Sequence, residues 1–177
     1  MGTICMKTTL FASVSIDGFI ANTDGIPMFP PSAWPDWCAL VNEAGSCIAG
    51  RASVEQLKDQ EMAAILKPEH KIVLSSQDID FTDAGWQHAT SPAAALAMLE
   101  QAGVQEAIVG GGRAVYHAFM GEGLVDEVVI DLQPVAFGTG VPLFGGKLDP
   151  AWLTLVDSKP LNDDAMRLRY RVLRGQA

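Results

Sequence analysis

Ile108-Val109-Gly110-Gly111-Gly112-Arg113-Ala114-Val115-Tyr116-His117-Ala118-Phe119-Met120 is the stretch on which the reading of this chain turns. Ala107 to Val109 is a short apolar run, as expected of a strand covered on both faces. Three glycines follow, and a helical pattern starts near Arg113, with Val115 and Phe119 four residues apart on one face. A glycine-rich turn of this kind is a device for anions. Glycine lets a ligand approach the main chain without meeting a Cβ, and the first N–H groups of the helix point outward without internal partners. The helix dipole adds partial positive charge, so a phosphate or pyrophosphate fits there. The same glycines also serve any sharp turn from strand to helix, and the motif gains weight only from similar junctions elsewhere.

Two such junctions exist. Ser46-Cys47-Ile48-Ala49 reads as a short buried strand and runs into Gly50-Arg51-Ala52-Ser53, which opens a helix with an arginine and a serine at its anion-binding end. Lys71-Ile72-Val73-Leu74 is a third apolar strand, ending in Ser75-Ser76-Gln77. Hydroxyls just past a strand end hold a phosphate or a ribose, or start a turn. Placed side by side, the three strand ends make one nucleotide groove.

The rest of the chain is read outward from these. Thr8 to Ser15 is a β-rich first strand, Asp17-Gly18 a turn, and Phe19-Ile20 extended again. Asn22 to Pro35 contains four prolines and is a loop. It carries Met28, Phe29 and Trp34, which suit either ligand contact or a core plug. Pro35 to Ala44 is a helix stopped by Gly45. Ser91-Pro92 starts the clearest helix, with Ser91 as N-cap, Leu96 and Leu99 on its apolar face and Gly103 as its stop. Val128 to Val135 and Trp152 to Asp157 are extended. Met166 to Leu173 alternates strictly, placing Arg167, Arg169 and Arg171 in one row, read as solvated or subunit-facing.

Length and composition bound the answer. The 177 residues suit one domain, residues 1–177, with an adequate core, and the apolar fraction of 49% is that of a globular protein. The net charge of −9, without a dense basic cluster, argues against a nucleic-acid partner. It also requires any phosphate site to be local. No apolar run approaches a membrane span, and Met1 to Lys7 lacks the pattern of a signal peptide. Cys5, Cys38 and Cys47 form no paired motif, which suggests reduced thiols and a cytoplasmic location. His70, His88 and His117 lie in no zinc-type spacing, so no metal site is expected.

With these residues assembled, the chain resembles the dihydrofolate-reductase-like family. The resemblance is nearest to the branch holding the reductase domain of the riboflavin-biosynthesis deaminase–reductase and its stand-alone relatives. It rests on Ser15-Ile16-Asp17-Gly18-Phe19-Ile20-Ala21, Gly50-Arg51-Ala52-Ser53, Val73-Leu74-Ser75-Ser76, Val109 to Tyr116, Gly123-Leu124-Val125-Asp126-Glu127, and Pro134 with Gly138-Thr139-Gly140-Val141-Pro142-Leu143-Phe144, in family order over nearly the whole chain. It implies an α/β, dihydrofolate-reductase-like three-layer fold: a central mixed, mainly parallel sheet of about eight strands flanked by helices. It implies NADPH as hydride donor and a homodimer. Gly50, Arg51 and Ser53 would hold the pyrophosphate and the adenosine 2′-phosphate, and Ser75 and Ser76 would lie by the 2′-phosphate and adenine. Gly110, Gly111, Gly112, Arg113 and Ala114 would receive the pyrophosphate, and Ala12 and Ile20 would flank the nicotinamide. Arginine suits this task because its guanidinium bonds a phosphate bidentately.

The resemblance also marks Asp36, near the expected place of the substrate-binding carboxylate, although Trp34-Pro35-Asp36 is not the motif of dihydrofolate reductases proper. Asp36 also suits a helix's first turn. Asp17 matches the riboflavin branch, and Tyr116 resembles a tyrosine near the nicotinamide. No zinc motif of a deaminase is present. The expected function is an NADPH-dependent reductase, with catalytic Asp36, Asp17 and Tyr116. It would transfer a hydride to a small pteridine-like or ribosylaminopyrimidine-like heterocycle, as in riboflavin biosynthesis, stacked on Phe29 and Trp34. A phosphorylated sugar substrate would want basic residues in the substrate half, and Asn22 to Leu40 contains none. The alternative is a nucleotide-binding dimeric protein of this fold without turnover.

Overall fold

The computed structural model describes residues 6–57, 61–77 and 81–175; Cys5 lies outside them. The strands are β1 (Lys7–Ser15), β2 (Phe19–Ala21), β3 (Ser46–Gly50), β4 (His70–Leu74), β5 (Gln87–Ala89), β6 (Glu106–Gly111), β7 (Glu127–Gln133), β8 (Val141–Pro142), β9 (Leu153–Pro160) and β10 (Met166–Val172). The helices are α1 (Ala33–Ala44), α2 (Arg51–Leu57), α3 (Glu61–Ile65), α4 (Pro92–Gln101) and α5 (Arg113–Gly121). Eight strands form one sheet in the order β5-β4-β3-β6-β1-β7-β10-β9, and β2 pairs with β8 in a small second sheet. The first six strands of the large sheet run parallel, β10 runs antiparallel to β7, and β9 turns back antiparallel to β10. This is the mixed, mainly parallel eight-stranded α/β architecture expected.

Two cores fill the space on either side of that sheet. On one face α4 and α5 supply Ala95, Leu99, Val115 and Phe119 against Leu10, Ala12, Val109 and Val128. On the other, α1 and α2 supply Trp37, Cys38, Val41 and Val54 against Phe11, Ala49, Ile108 and Val129. Adjacent strand residues such as Leu10 and Phe11 thus enter opposite cores, as strand alternation requires. The central strands need apolar residues on both faces, which is why β6 shows no alternation.

Local chemistry sets the helix ends. Ser91 accepts a hydrogen bond on Oγ from Ala94 N at 3.2 Å, and Pro92 occupies the first turn of α4. Helix α1 begins at Ala33, two residues before the expected start at Pro35. Pro35 is tolerated because an N–H in the first turn has no helical partner anyway.

The row of arginines on β10 corrects the reading of it as solvated or subunit-facing. Arg167 makes a bidentate pair with Asp131, 2.6 Å from Nε to Oδ1 and 2.7 Å from Nη2 to Oδ2, and Arg169 binds Glu127 at 2.7 Å. Asp131 has no solvent exposure and the Arg167 side chain 11%. Burial raises the Asp131 carboxyl above its ordinary value, although the guanidinium pulls it down. Of the three, Arg171 alone is exposed.

Breaking this pair from one side strands a buried charge. Arg167→Met is expected to cost about 3–5 kcal/mol, and combining it with Asp131→Leu should recover most of that loss. Urea unfolding of the two variants beside the parent protein measures both values.

Candidate functional site

In a sheet of this topology the carboxyl ends of the parallel strands form the ligand-binding edge. Here β3, β4 and β6 end side by side, and the three junctions singled out in the sequence meet. A cavity of about 400 Å³ is lined by Arg51, Ser75, Ser76, Gln77, Thr90 and Ala114, among others. Gly50 abuts the next turn closely: a Cβ there would lie 3.0 Å from Val115 Cγ2 and 3.8 Å from Gly112 N. A Cβ on Gly112 would lie 3.3 Å from Ser53 Oγ. The turn at Gly112, which includes a cis Gly111–Gly112 peptide, therefore sits against the start of α2.

The polar groups of this cavity are lightly held. Arg51 donates from Nη1 to Gln77 Oε1 at 2.7 Å and lies 3.6 Å from Glu55, with its side chain 48% exposed. An exposed pair of this kind contributes little and leaves the guanidinium free to turn to another anion. Ser75 Oγ accepts from Gln77 N at 3.1 Å, and its carbonyl meets His88 Nε2 at 2.9 Å. Arg113 opens α5 with its chain against Gly145, where a Cβ would lie 2.6 Å from Arg113 Cδ.

Gly110 faces the other core. A Cβ there would stand 2.7 Å from Trp37 Cζ2, so only glycine lets the indole lie flat against β6. Trp37 is the middle of a stack. Its ring lies 5.1 Å from Trp34 at 12° and 5.9 Å from Phe11 at 8°, and Arg167 Cζ caps Phe11 at 4.9 Å. Each such contact adds roughly 0.5–1.5 kcal/mol beyond burial. Arg167 Nη2 also donates to the Asp36 carbonyl at 3.3 Å, which ties the first turn of α1 to β10. Asp36 is half-buried there, close enough that its charge opposes ionisation of Asp131. Phe29, in the preceding loop, packs on Phe137 at 5.6 Å.

The remaining expected site residues separate by role. Ala12 is buried between the sheet and α5, with Ile20 packed half-buried against the same cluster. Asp17 acts as a clamp: Ser15 Oγ donates to it at 2.6 Å, Gly138 N at 2.7 Å and Phe137 N at 3.2 Å. The Ser15 hydroxyl, with those two amides, holds its carboxyl below the usual carboxylate value, the wrong direction for a proton donor. Tyr116 is buried and donates to the Phe11 carbonyl at 2.8 Å, and burial pushes its hydroxyl far up. Its ring also lies under Gly111, where a Cβ would meet the hydroxyl at 2.9 Å. In this geometry the Asp17 carboxylate and the Tyr116 hydroxyl are each held by bonds within the chain, to the Gly138 amide and the Phe11 carbonyl.

Several residues here escaped the sequence reading. Asp131 carried a signal, a lone acid inside the apolar run Val128-Val129-Ile130-Asp131-Leu132, but its partner lies on another strand. Thr90 becomes a lining residue of the cavity only because β4 and β5 pair. Among the described residues no group of three or more His, Cys, Asp or Glu is placed to hold a metal ion. No helix among them is long and apolar enough to cross a membrane.

Comparison with known proteins agrees with this fold. The model of the RibD C-terminal domain family matches residues 6–166. The uncharacterized Bacillus subtilis (strain 168) protein YwjB is 27% identical over 172 residues, 93% of this chain and 97% of its own length. Among solved structures, a Shewanella sp. PV-4 protein named for riboflavin biosynthesis superimposes with a TM-score of 0.75 at 22% identity, covering 96% of this chain and 100% of its own. The Thermotoga maritima diaminohydroxyphosphoribosylaminopyrimidine deaminase/5-amino-6-(5-phosphoribosylamino)uracil reductase gives 0.70 at 16% identity, covering 95% of this chain and 57% of its own. At these identities the structures show a shared fold.

Protonation of Asp17 should release the clamp on Gly138. Because the folded value is depressed, its contribution is present above the ordinary carboxylate pKa and is lost as pH falls through the depressed one. The Gly138 amide resonance is expected to titrate with a midpoint below about 3.9, and NMR across the acid range checks it. A midpoint at or above the ordinary value would contradict the clamp.

Proposed function

The chain belongs to the RibD C-terminal domain family, and from that premise we propose that it is an NADPH-dependent reductase acting on a small planar heterocycle. The observation that carries the reading is the convergence of Arg51, Ser75, Ser76 and Ala114 on one cavity at the carboxyl ends of β3, β4 and β6. That cavity fits the group. An arginine with only exposed partners, two serines and Thr90 suit a 2′-phosphate. Gly50, Ser53, and Gly110 to Ala114 bring main-chain donors and a helix start to where a pyrophosphate would lie. Ala12 and Ile20 would flank the nicotinamide. When bound, NADPH supplies the hydride.

The chain's own part is alignment, exclusion of water and handling of a proton. Asp17 and Tyr116 are committed to Gly138 and Phe11, so Asp36 is the group left among the three to hold a proton at its carboxyl near the acceptor ring. Phe29 and Trp34 border that half. Its cation, Arg167, is neutralised by Asp131, which favours a ring without a phosphate arm over a ribosylaminopyrimidine phosphate. Binding without turnover is the second reading, favoured by the loss of two of three candidate proton donors to structural bonds.

A thermal-shift titration with NADPH and NADH, followed by turnover on pteridines and aminopyrimidines, tests the reading. NADPH is expected to raise the melting temperature at lower concentration than NADH. Arg51→Gln should weaken NADPH by about tenfold to a hundredfold while leaving NADH nearly unchanged, the size of one charge-assisted contact. Asp36→Asn should keep the NADPH shift and lose turnover. No shift with either nucleotide would remove the reductase reading; a shift with no turnover on any ring would leave the binding protein.

We also propose that two copies pair through β9. Every residue of this edge strand is exposed, with Leu153, Leu155 and Val156 at 39%, 52% and 45% beside Trp152 at 61%. An apolar edge with unpaired main-chain groups is a template for another strand, and a two-fold axis lets the same edge meet itself antiparallel. Light scattering after gel filtration should give twice the chain mass, and Leu155→Glu should give the monomer without loss of the NADPH shift.

A further inference from the structure

Gln133, the last residue of β7, is 1% exposed, yet among the described residues neither its Nε2 nor its Oε1 has a hydrogen-bond partner. A carboxamide offers two donors and an acceptor oxygen, and leaving all of them unmade away from water is unfavourable. Such groups in native proteins are rare and call for a partner outside the chain's own side chains.

Its position indicates which partner. Side chains alternate along a strand, so Val129, Asp131 and Gln133 share one face of β7. Val129 packs with Phe11 and Trp37 on the α1 side, and Asp131 holds Arg167, which reaches the Asp36 carbonyl. Gln133 is the next member of this row, past the ion pair and at the carboxyl end of the sheet. Ser15 is its register neighbour on β1, but the Ser15 hydroxyl already donates to Asp17 and accepts from Phe19 N. The row therefore runs from an apolar floor, through a neutralised ion pair, to an uncommitted uncharged amide.

We propose that Gln133 is a specificity-determining residue of the substrate half, pairing with the cis-amide edge, –C(=O)–NH–, of a planar heterocycle. Oε1 accepts from the ring N–H and Nε2 donates to the ring carbonyl. The assignment of this half to the substrate rests on the reductase reading above. A side-chain amide is complementary to a lactam edge because each presents one donor beside one acceptor. With Arg167 held by Asp131, the row selects an uncharged edge.

The test uses two probes on one ring, 2-amino-4-hydroxy-6-methylpteridine and its 4-methoxy counterpart, which lacks the N–H and carbonyl. Calorimetric titration of the protein is expected to show the lactam binding at least about tenfold tighter, the usual penalty for leaving a recognition group unpaired. In Gln133→Leu the two probes should bind alike, with the methoxy affinity unchanged. Equal binding of the two by the parent protein, binding of neither, or a preference that survives in Gln133→Leu would each overturn the proposal. A variant altered only in melting temperature, with its preference intact, would mean that a buried water is the amide's partner. Should Gln133→Leu not fold, Gln133→Glu, which keeps the shape and loses the donor, takes its place: a lactam preference that survives in it overturns the proposal. An NADPH thermal shift run in parallel separates the two readings, since its absence removes the reductase assignment while the probe preference stands or falls on its own.

Discussion

The bidentate contact between Arg167 and Asp131 is the constraint on which the packing of β1, β7, β10 and α1 depends. Asp131 is wholly buried, on the face of β7 that also packs Val129 into the core. Left alone it would favour its neutral form, because burial raises its carboxyl. The guanidinium that answers it comes from an antiparallel strand at the far end of the chain. One side chain then does four things at once: it neutralises β7, fixes β10 beside it, caps Phe11 of β1 and holds the Asp36 carbonyl at the start of α1. A lysine there would give a point charge without the planar fork or the flat face over an aromatic ring.

The two halves of the carboxyl edge are built by different means. At β3, β4 and β6 the polar groups come from main chain, hydroxyls and one arginine held by exposed contacts. That suits a flexible anionic ligand in a protein whose net charge of −9 offers no long-range attraction. At β1, β7 and α1 the walls are aromatic and the charges are paired internally. The Trp34–Trp37–Phe11 stack and the close approach of Trp37 to Gly110 leave little room for rearrangement. The half assigned to the cofactor adapts, and the half assigned to the ring is rigid.

Most of the fold was legible because it is written locally. Ser91-Pro92 names the start of α4, Gly45 the end of α1, and the apolar runs at Cys47, Ile72 and Ala107 the central strands. The cavity edge at β3, β4 and β6 was legible for the same reason, since each of its three junctions is a few contiguous residues. What the chain hides is whatever two distant segments make together. The alternation from Met166 to Leu173 marks a strand but does not say that Arg167 will find Asp131 across 36 residues. β5 is three residues long and has no pattern to detect, so Thr90 beyond it was invisible. Gln133 looked like an ordinary strand end until its burial and missing partners were known together.

Asp17 and Tyr116 are both held by bonds within the chain. Each sits where the family resemblance points, and each is a residue type that can move a proton. Yet Asp17 is surrounded by donors, which lower its affinity for a proton, and Tyr116 is buried against a main-chain carbonyl, which keeps its hydroxyl protonated and turned inward. A residue that must exchange a proton with a ligand needs a bond left open toward that ligand. By that criterion the groups that remain are Asp36, whose main chain rather than carboxylate is bound by Arg167, and Gln133, whose amide has no partner among the described residues. One can carry a proton and the other can only recognise an edge. Their separation along a single strand–helix interface is the division of labour that the proposed reduction of a neutral ring would require.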